Sequence, residues 1–254
     1  MRFPLRLRAD LLRYRLFHSF SESAAAPVFR FSPLVTHFSK RDRVDDSATG
    51  LEWHSPEDCV RLAKDLSTRI FWIGGTEPLL HPEIGGVTRS LAQSGRHVFL
   101  HTGALDLRKR IHEFQPDSRL FFAVEFAGPE AVHDTRAGRP GTFRRTMESI
   151  RTAKLSGFLV CAHVTVGLQT DPCDIGELFE YLDERDVDGF IVSSGEASAS
   201  SPVTGKLAEI RALIRHAGWE HFSRLLESSY AQPIAAPAPR ELPASRARAF
   251  EEGA

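Results

Sequence analysis

The sequence predicts an α/β fold, an incomplete (β/α)6 barrel built around a parallel sheet. Short apolar runs alternate with longer amphipathic stretches along most of the chain, which is the pattern of repeated strand–helix units. At 254 residues the chain is long enough to enclose one sizeable core. An open doubly wound sheet would produce nearly the same pattern, and in both architectures the loops after the strands form the ligand-binding face.

Six strands and six following helices account for this alternation in chain order. The first strand is predicted at 28–35 despite Pro33, and the first helix at 55–67 begins with Ser55 as its cap and Pro56 in its first turn. The later strands are short apolar runs, predicted at 69–73, 97–101, 119–126, 158–166 and 189–193. Amphipathic helices fit between and after them, at 82–94, 106–114, 142–156, 174–185 and 204–226.

The predicted barrel domain occupies residues 23–227, between two segments of different composition. Residues 1–22 form a basic amphipathic segment in which five arginines alternate with leucines and phenylalanines. Such a segment either caps the core of its own domain, with the arginines reaching water, or lies on an anionic membrane surface or a partner. Residues 228–254 are rich in Ala and Pro without an apolar period, and we expect them to be disordered.

Charge and cysteine content narrow the classes of function. The chain has 32 Lys and Arg against 33 Asp and Glu, so its net charge of -1 gives no field that would attract nucleic acid. Cys59, Cys161 and Cys173 form no CxxC pair and are too few for a disulfide framework, so a reducing cytoplasm is expected. Peripheral contact with the inner membrane face through residues 1–20 is a further expectation, whereas no run of eighteen apolar residues indicates a transmembrane helix.

A Gly-Gly-x-Glu-Pro turn follows the second predicted strand, at residues 74–78. Gly74 and Gly75 allow backbone groups to approach a ligand closely, and the Glu77 carboxylate can bind an ammonium group. The same turn could instead cap the next helix, because a carboxylate at a helix start is favourable. Both interpretations follow from these residues alone.

Four stretches together resemble radical S-adenosylmethionine (radical SAM) enzymes, most closely the adenosylhopane synthase-like branch. In chain order they are GGTEPLLHPEI at 74–84, HVFLHTGALDL at 97–107, AGPEAVHDTRAGRPGTFRRTMESIRTAKLSGFLVCAHVTV at 127–166, and VDGFIVSSGEA at 187–197. The resemblance covers roughly residues 1–200 and implies the incomplete six-unit barrel that the alternation of elements predicts. It also implies that the turn after the second strand holds the amino end of S-adenosylmethionine (SAM).

Carried over position by position, the resemblance implies a cofactor pocket at the strand ends. Its residues are Gly74, Gly75, Thr76, Glu77, Pro78, Thr102, Glu125, His163 and Ser193.

The main departure from the family concerns the iron–sulfur cluster. Family members carry Cys-x3-Cys-x2-Cys directly after the first strand, whereas this chain has no cysteine before Cys59. Counting from Pro33 places His37, Arg41 and Val44 at the ligand positions, and counting back from Ser55 shifts this frame without supplying a thiolate. Clusters are held mainly by thiolates, so a 4Fe–4S cluster is not expected and no metal ligand is assigned. Two further motifs of the family differ here. Thr102-Gly103-Ala104 stands where the family usually has Thr-Asn-Gly, and Ala127 stands where an aspartate is common.

Other chemistry is less well supported by the residues. His81, His101 and His163 lie near predicted strand ends and, with Glu77 or Glu125, could converge on zinc, although their spacing is not that of close ligands. A hydrolytic triad based on Ser193 or Ser194 lacks a nucleophile-elbow sequence. The arginines of 136–145 could clamp a phosphate, but a solvated loop is the plainer interpretation. His133 and Asp134 are expected to brace the loop after the fourth strand.

The resemblance and the missing thiolates together predict a degenerate radical SAM-type fold that acts as a binding or accessory protein. It would keep a pocket for SAM or a nucleotide, and its partner would be an active paralogue or a lipid-modifying enzyme. The alternative is an enzyme that uses the pocket for chemistry independent of a cluster, on a substrate such as an isoprenoid lipid. No catalytic residue is assigned in either case.

Overall fold

The computed structural model describes residues 3–10, 28–31, 54–64, 68–75, 77–194 and 201–219. Six parallel strands form one sheet in the order β1-β2-β3-β4-β5-β6. Their bounds are Val28–Phe31 (β1), Ile70–Ile73 (β2), His97–Thr102 (β3), Leu120–Phe126 (β4), Leu159–Val166 (β5) and Gly189–Ser194 (β6). Each strand pairs with its neighbours in sequence, which requires a helical crossover between every pair.

Helices precede and follow these strands in the chain. Their bounds are 5–10 (α1), Pro56–Lys64 (α2), Ile84–Gln93 (α3), Leu107–Arg110 (α4), Glu130–Ala137 (α5), Thr142–Leu155 (α6), Pro172–Asp183 (α7) and Ser201–Ala217 (α8). Helices α2 to α8 follow the strands in sequence and cover the outer face of the sheet, whereas α1 precedes β1 and packs on the inner face. Two short 3-10 helices lie at Pro78–Leu80 and Ile111–Glu113. None of the described helices is long and apolar enough to cross a membrane.

The strand order distinguishes the two architectures that the sequence left open. In a doubly wound sheet the strand order reverses at a switch point, whereas here it runs consecutively from β1 to β6. The chain therefore folds as a partial (β/α) barrel, as predicted.

Several element bounds differ from the prediction. The helix predicted at 106–114 is the single turn α4 followed by a 3-10 turn, and α7 begins at Pro172 because Asp171 caps it by accepting from the Cys173 N–H. Helix α5 was not predicted. Among its eight residues only His133 is buried, so it carries almost no apolar stripe for a sequence pattern to detect.

Side chains alternate between the two faces of the sheet, as the strand geometry requires. On the outer face, strand residues such as Phe71, Leu100, Phe122 and Phe190 pack against the helices in the larger apolar core. On the inner, concave face a second cluster contains Trp72, Phe99, Phe121, Cys161 and Ile191, among others. Because burying one such side chain contributes about 1.5–3 kcal/mol, the inner cluster is itself a substantial source of stability.

The N-terminal segment closes the lower half of this inner face. Phe3 contacts the Phe121 ring edge-on at a centroid distance of 6.4 Å, and Leu7 is fully buried in the same cluster. The Asp10 carboxylate lies 3.0 Å from His97 Nε2 and 3.8 Å from the Arg69 guanidinium. Residues 3–10 therefore cap the core of their own domain, which is one of the two roles predicted for this segment.

Some sequence-based expectations lie outside the described residues. These are the remainder of the basic segment at 11–22, the positions 32–53 that follow β1, and the Ala/Pro-rich tail at 228–254.

Candidate binding site at the carboxyl edge of the sheet

The turn after β2 is held by its own glutamate. Gly75 adopts φ +96°, a conformation that glycine tolerates, and Pro78 begins a 3-10 helix. Glu77 Oε1 accepts a hydrogen bond from the Leu79 N–H at 3.1 Å, so the carboxylate caps this helix. Thr76 lies outside the described residues.

The same carboxylate reaches across to the end of β3. Thr102 Oγ1 donates to Glu77 Oε1 at 2.6 Å, and the Gly103 N–H donates to Glu77 Oε2 at 3.0 Å. Thr102 Oγ1 in turn accepts from the Ala104 N–H at 2.9 Å. A carboxylate offers about four lone-pair positions, so roughly one position on Glu77 stays available to a ligand beyond these three protein contacts.

Gly74 is closely packed by its protein neighbours. A side chain at this position would place Cβ 3.1 Å from Trp72 Nε1 and 3.2 Å from His101 Cβ, so both neighbours would have to shift slightly. The missing side chain therefore lets Trp72 and His101 meet beneath the turn, a role that does not depend on a ligand.

A hydrogen-bonded network of His101, His163 and Ser193 crosses the inner face just above the apolar cluster. His163 Nδ1 lies 2.9 Å from His101 Nε2, and His163 Nε2 lies 2.8 Å from Ser193 Oγ. We call these three side chains the histidine network. His163 and Ser193 are buried, whereas the His101 side chain is 20% exposed.

Strand register explains why these three residues meet. All three occupy positions that point to the inner face, on β3, β5 and β6. His163 pairs with Glu125, and His101 pairs with Ala123 one layer below. The stagger between parallel strands thus brings the His163 ring diagonally against that of His101, with their centroids 4.7 Å apart.

Trp72 forms the floor beneath the two histidines. Its ring centroid lies 5.1 Å from that of His101 and 5.1 Å from that of His163. This large apolar surface separates the polar edge from the inner cluster below.

Glu125 lies beside the histidine network. Its Oε2 lies 3.7 Å from His101 Nε2, beyond hydrogen-bond distance, and 49% of its side chain is exposed. Partial dehydration raises the pKa of Glu125, and the nearby Glu77 carboxylate raises it further, while the Arg136 guanidinium acts in the opposite sense. A raised pKa favours proton exchange closer to neutral pH than is usual for a glutamate.

A pocket of about 240 Å³ opens beside Glu125. It lies between the ends of β3, β4 and β5 and helix α5, and its wall includes Gly103, Glu125, His133, Arg136 and Thr165. Its wall therefore carries both a carboxylate and a guanidinium. The volume is slightly below the roughly 300–1,000 Å³ of typical small-molecule sites, so the pocket fits a small ligand or one end of a larger one.

His133 lies in the pocket wall and braces the loop after β4, as expected, whereas Asp134 holds the turn between α5 and α6 instead. Asp134 Oδ2 accepts from the Gly141 N–H at 2.5 Å and Oδ1 accepts from the Phe143 N–H at 2.7 Å. These backbone hydrogen bonds lower the pKa of Asp134. His133 Nδ1 accepts from the Ala127 N–H at 3.3 Å, and burial lowers the pKa of His133. His133 thus ties α5 to the end of β4, whereas Asp134 ties α5 to the start of α6.

The three cysteines lie on three different elements and do not converge. Cys59 on α2 belongs to the outer core, Cys161 on β5 points to the inner cluster, and Cys173 is exposed on α7. Burial raises the pKa of Cys59 to about 12 and that of Cys161 well above its ordinary value. Nearby carboxylates, Asp171 first, raise the pKa of Cys173. Because a cluster needs several thiolates around one point, these separated cysteines do not fit a cluster site.

The zinc alternative is not supported by the arrangement of its five residues. His81 is used elsewhere, since its Nε2 donates to the His54 carbonyl at 2.8 Å and its Nδ1 accepts from the Glu83 N–H at 2.9 Å. Within the described part of the chain, no group of three or more His, Cys, Asp or Glu side chains is arranged to hold a metal ion. His81 is a structural residue of the turn.

The structure brings most of the predicted site residues to one edge of the sheet. Gly74, Glu77 and Thr102 form the bridge between β2 and β3, and Glu125, His163 and Ser193 lie on the inner face beyond it. Sequence reasoning missed Trp72 and the specific position of Arg136. It grouped His101 with His163 as possible zinc ligands and did not foresee the hydrogen-bonded network that they form with Ser193. The available signal was the period of two along β3, β5 and β6, which places all three on one face.

Comparisons with known proteins address the family and the fold. The family model described as the radical SAM superfamily matches residues 44–182, more than half of the chain. Streptococcus suis SuiB bound to S-adenosylmethionine matches with a TM-score of 0.56 at 14% identity, covering 86% of this chain and 51% of the SuiB chain. SuiB bound to the precursor peptide SuiA matches with a TM-score of 0.55 at 12% identity, covering 89% of this chain and 55% of that chain.

At these identities the likeness to SuiB concerns the fold. This chain spans about half the length of the SuiB chains that it matches. No curated protein matches the sequence.

Proposed function

Because this chain belongs to the radical SAM superfamily, we propose that it is a cluster-free member that binds a SAM- or nucleotide-type ligand and serves as a binding or accessory protein. The observation that carries this proposal is the combination of a polar strand edge with a cysteine set that does not fit a cluster. The positions after β1 contain no cysteine, and the three cysteines of the chain lie apart.

Loss of the thiolates removes two things at once. A cluster supplies the electron that cleaves SAM, and in the family it also chelates the amino and carboxylate groups of SAM. Neither His37 nor Arg41 replaces a thiolate, since a guanidinium has no lone pair to donate and one imidazole does not hold a cluster. The proposal therefore excludes reductive cleavage of SAM and leaves recognition of a ligand.

The charges at the edge support recognition of an α-amino acid group. The carboxylates of Glu77 and Glu125 provide partners for an ammonium or sulfonium, and Arg136 provides one for a carboxylate. A pocket of about 240 Å³ accommodates that end of the ligand, while the remainder would lie along the open inner face beside His101. In this proposal Glu77, in the turn after β2, would contact the ligand from outside the wall of that pocket.

Titration calorimetry with SAM, methionine and adenosine tests the binding proposal. We expect SAM to bind more tightly than either fragment, and Glu125→Gln to weaken SAM binding more than the exposed control Glu148→Gln does. Failure of SAM, S-adenosylhomocysteine and ATP to bind the folded protein at millimolar concentration would refute a residual SAM or nucleotide pocket.

Anaerobic incubation with iron and sulfide tests the absence of a cluster. The expected result is no stoichiometric iron after desalting and no paramagnetic signal after reduction. Four irons per chain with a cluster spectrum would overturn the proposal, because the chain would then supply ligands other than its separated cysteines.

The branch and the partner belong to the same proposal. The motifs at 74–84 and 187–197 favour the adenosylhopane synthase-like branch, and a partner would then be an active paralogue or a lipid-modifying enzyme.

A second candidate function is an enzyme that uses the pocket without a cluster. The observation that favours it is the proximity of the histidine network to Glu125.

A further inference from the structure

The pocket wall and the histidine network meet at one residue, Glu125. Its carboxylate lines the pocket, and Oε2 lies 3.7 Å from His101 Nε2 on the other side. We propose that Glu125 is a general acid–base group for a small anionic ligand that Arg136 anchors, and that His163 and Ser193 act as positioning residues by fixing the orientation of His101. This inference rests on the second candidate function, an enzyme that uses the pocket without a cluster, and it does not depend on SAM.

Access to the pocket distinguishes the roles of these side chains. Ser193 is fully buried and His163 nearly so, which leaves neither able to touch a ligand. Glu125 is about half exposed, at 49%, and faces the pocket directly. A general acid or base must reach the proton it transfers, so Glu125 is the one catalytic residue in this arrangement.

The buried pair constrains His101 through hydrogen bonds. His163 has both ring nitrogens engaged, at 2.9 Å to His101 and 2.8 Å to Ser193. One of the two facing nitrogens of His101 and His163 must carry the shared hydrogen, so the tautomers of the two rings are coupled. Trp72 below and Gly74 beside His101 leave little room for ring rotation.

The charged groups around Glu125 are compatible with proton transfer. His101 approaches from β3, Arg136 from α5, and Glu77 from the turn after β2. Dehydration and Glu77 raise the pKa of Glu125, which brings a carboxylate base closer to the pH at which it works efficiently. Arg136 supplies the positive charge that holds an anionic ligand against this base.

A chromogenic proton-abstraction probe tests the assignment without knowledge of the natural ligand. With 5-nitrobenzisoxazole, a base removes the ring C–H proton, the N–O bond breaks, and its electron pair leaves on oxygen as a coloured nitrile-bearing phenolate. We expect the full chain to accelerate this reaction over free acetate at equal carboxylate concentration. Glu125→Gln should lower the rate at least about tenfold, within the usual contribution of general acid–base catalysis.

Controls separate loss of the base from loss of the fold. Circular dichroism and thermal unfolding establish that Glu125→Gln is folded, and Glu148→Gln on α6 should keep the wild-type rate. Pyruvate, a small carboxylate, should inhibit the wild-type reaction, and Arg136→Gln should weaken that inhibition at least about tenfold through loss of a charged hydrogen bond.

The positioning role has its own readout. In ¹⁵N-histidine spectra, Ser193→Ala should change the tautomer shifts of both His163 and His101, and it should move the pH profile of the probe reaction. A purely structural serine would change stability and leave the pH profile in place.

Three results would overturn the proposal. They are a wild-type rate no higher than that of acetate, a folded Glu125→Gln variant with an unchanged rate, or stoichiometric zinc binding that His101→Ala abolishes. SAM binding in calorimetry is independent of all three, so the proposed binding function can stand or fall separately.

Discussion

Glu77 and Thr102 join the ends of two neighbouring strands by a hydrogen bond of 2.6 Å from Thr102 Oγ1 to Glu77 Oε1. The same carboxylate also receives the N–H groups of Leu79 and Gly103. A side chain that the sequence indicates as a ligand for ammonium is therefore also a structural clamp at the edge of the barrel. The proposed ligand contact and the stability of the fold therefore depend on the same side chain.

Removal of this clamp should destabilise the fold. Glu77→Ala leaves the Gly103 N–H and the Thr102 hydroxyl without their acceptor, at a cost of about 1–3 kcal/mol for each buried group left unpaired. Urea unfolding measures the loss, and Glu148→Ala is the exposed control. In a double-mutant cycle with Thr102→Val, the two changes should cost less together than their sum. Additive losses would contradict a direct Glu77–Thr102 interaction.

Because the N-terminal segment packs in the core of the domain, loss of one of its buried side chains should lower the stability of the whole domain. Phe3→Ala should lower the free energy of unfolding by about 3 kcal/mol, the lower end of the range for buried phenylalanines. Leu5→Ala, at a position 80% exposed in the same N-terminal segment, should change it by less than about 0.5 kcal/mol.

Liposome flotation tests the membrane role of the same segment. If Phe3 and Leu7 stay in the barrel, Phe3→Ala should leave flotation unchanged, because the residue is not available to lipid. Stronger flotation of Phe3→Ala than of wild type would indicate that the segment exchanges between the barrel and the membrane.

The substitution Gly74→Ala tests the packing of the turn after β2 against Trp72 and His101. The added Cβ would lie 3.1 Å from Trp72 Nε1 and 3.2 Å from His101 Cβ, so we expect a shift in tryptophan emission and a loss of about 1–3 kcal/mol from overpacking. Gly167→Ala is the matched control, since a Cβ there meets nothing within 4 Å. Equal stability of the two variants would show that Trp72 and His101 do not pack against Gly74.

Stability should fall as the pH drops below about 6.5, the ordinary pKa of histidine. Burial lowers the pKa of His97, with Arg119 and Arg69 adding to the effect and Asp10 opposing it, and burial also lowers the pKa of His133. In this range the unfolded chain binds protons that the folded chain excludes. Each histidine therefore removes about 1.4 kcal/mol per pH unit until its folded pKa is reached.

Urea unfolding between pH 7.5 and 5 measures this dependence. His97→Gln should have a shallower slope than wild type, whereas substitution of the exposed His216 in the last turn of α8 should leave the slope unchanged. A wild-type stability that is flat across this range would contradict the burial of His97 as a neutral ring.

Local patterns determined the strand and helix repeat. Strands β2 to β6 begin and end within about one residue of their predicted bounds, because each is a compact apolar run whose backbone must be paired when buried. The weak amphipathicity of α5 explains why that helix was not predicted, since a helix with one buried residue leaves no periodic trace. The polar turn at 74–78 and the motifs of the family resemblance could also be predicted, because each consists of residues adjacent in the sequence.

The sequence by itself determined the family, the six-unit alternation and the lack of thiolates after the first strand, since these are properties of neighbouring residues. Only the tertiary structure decided that Glu77 clamps Thr102, that Phe3 fills the barrel, and that His101, His163, Ser193 and Glu125 meet. The physical reason is that contacts across parallel strands depend on stagger and on the curvature of the sheet. Both arise from the packing of all six strands together.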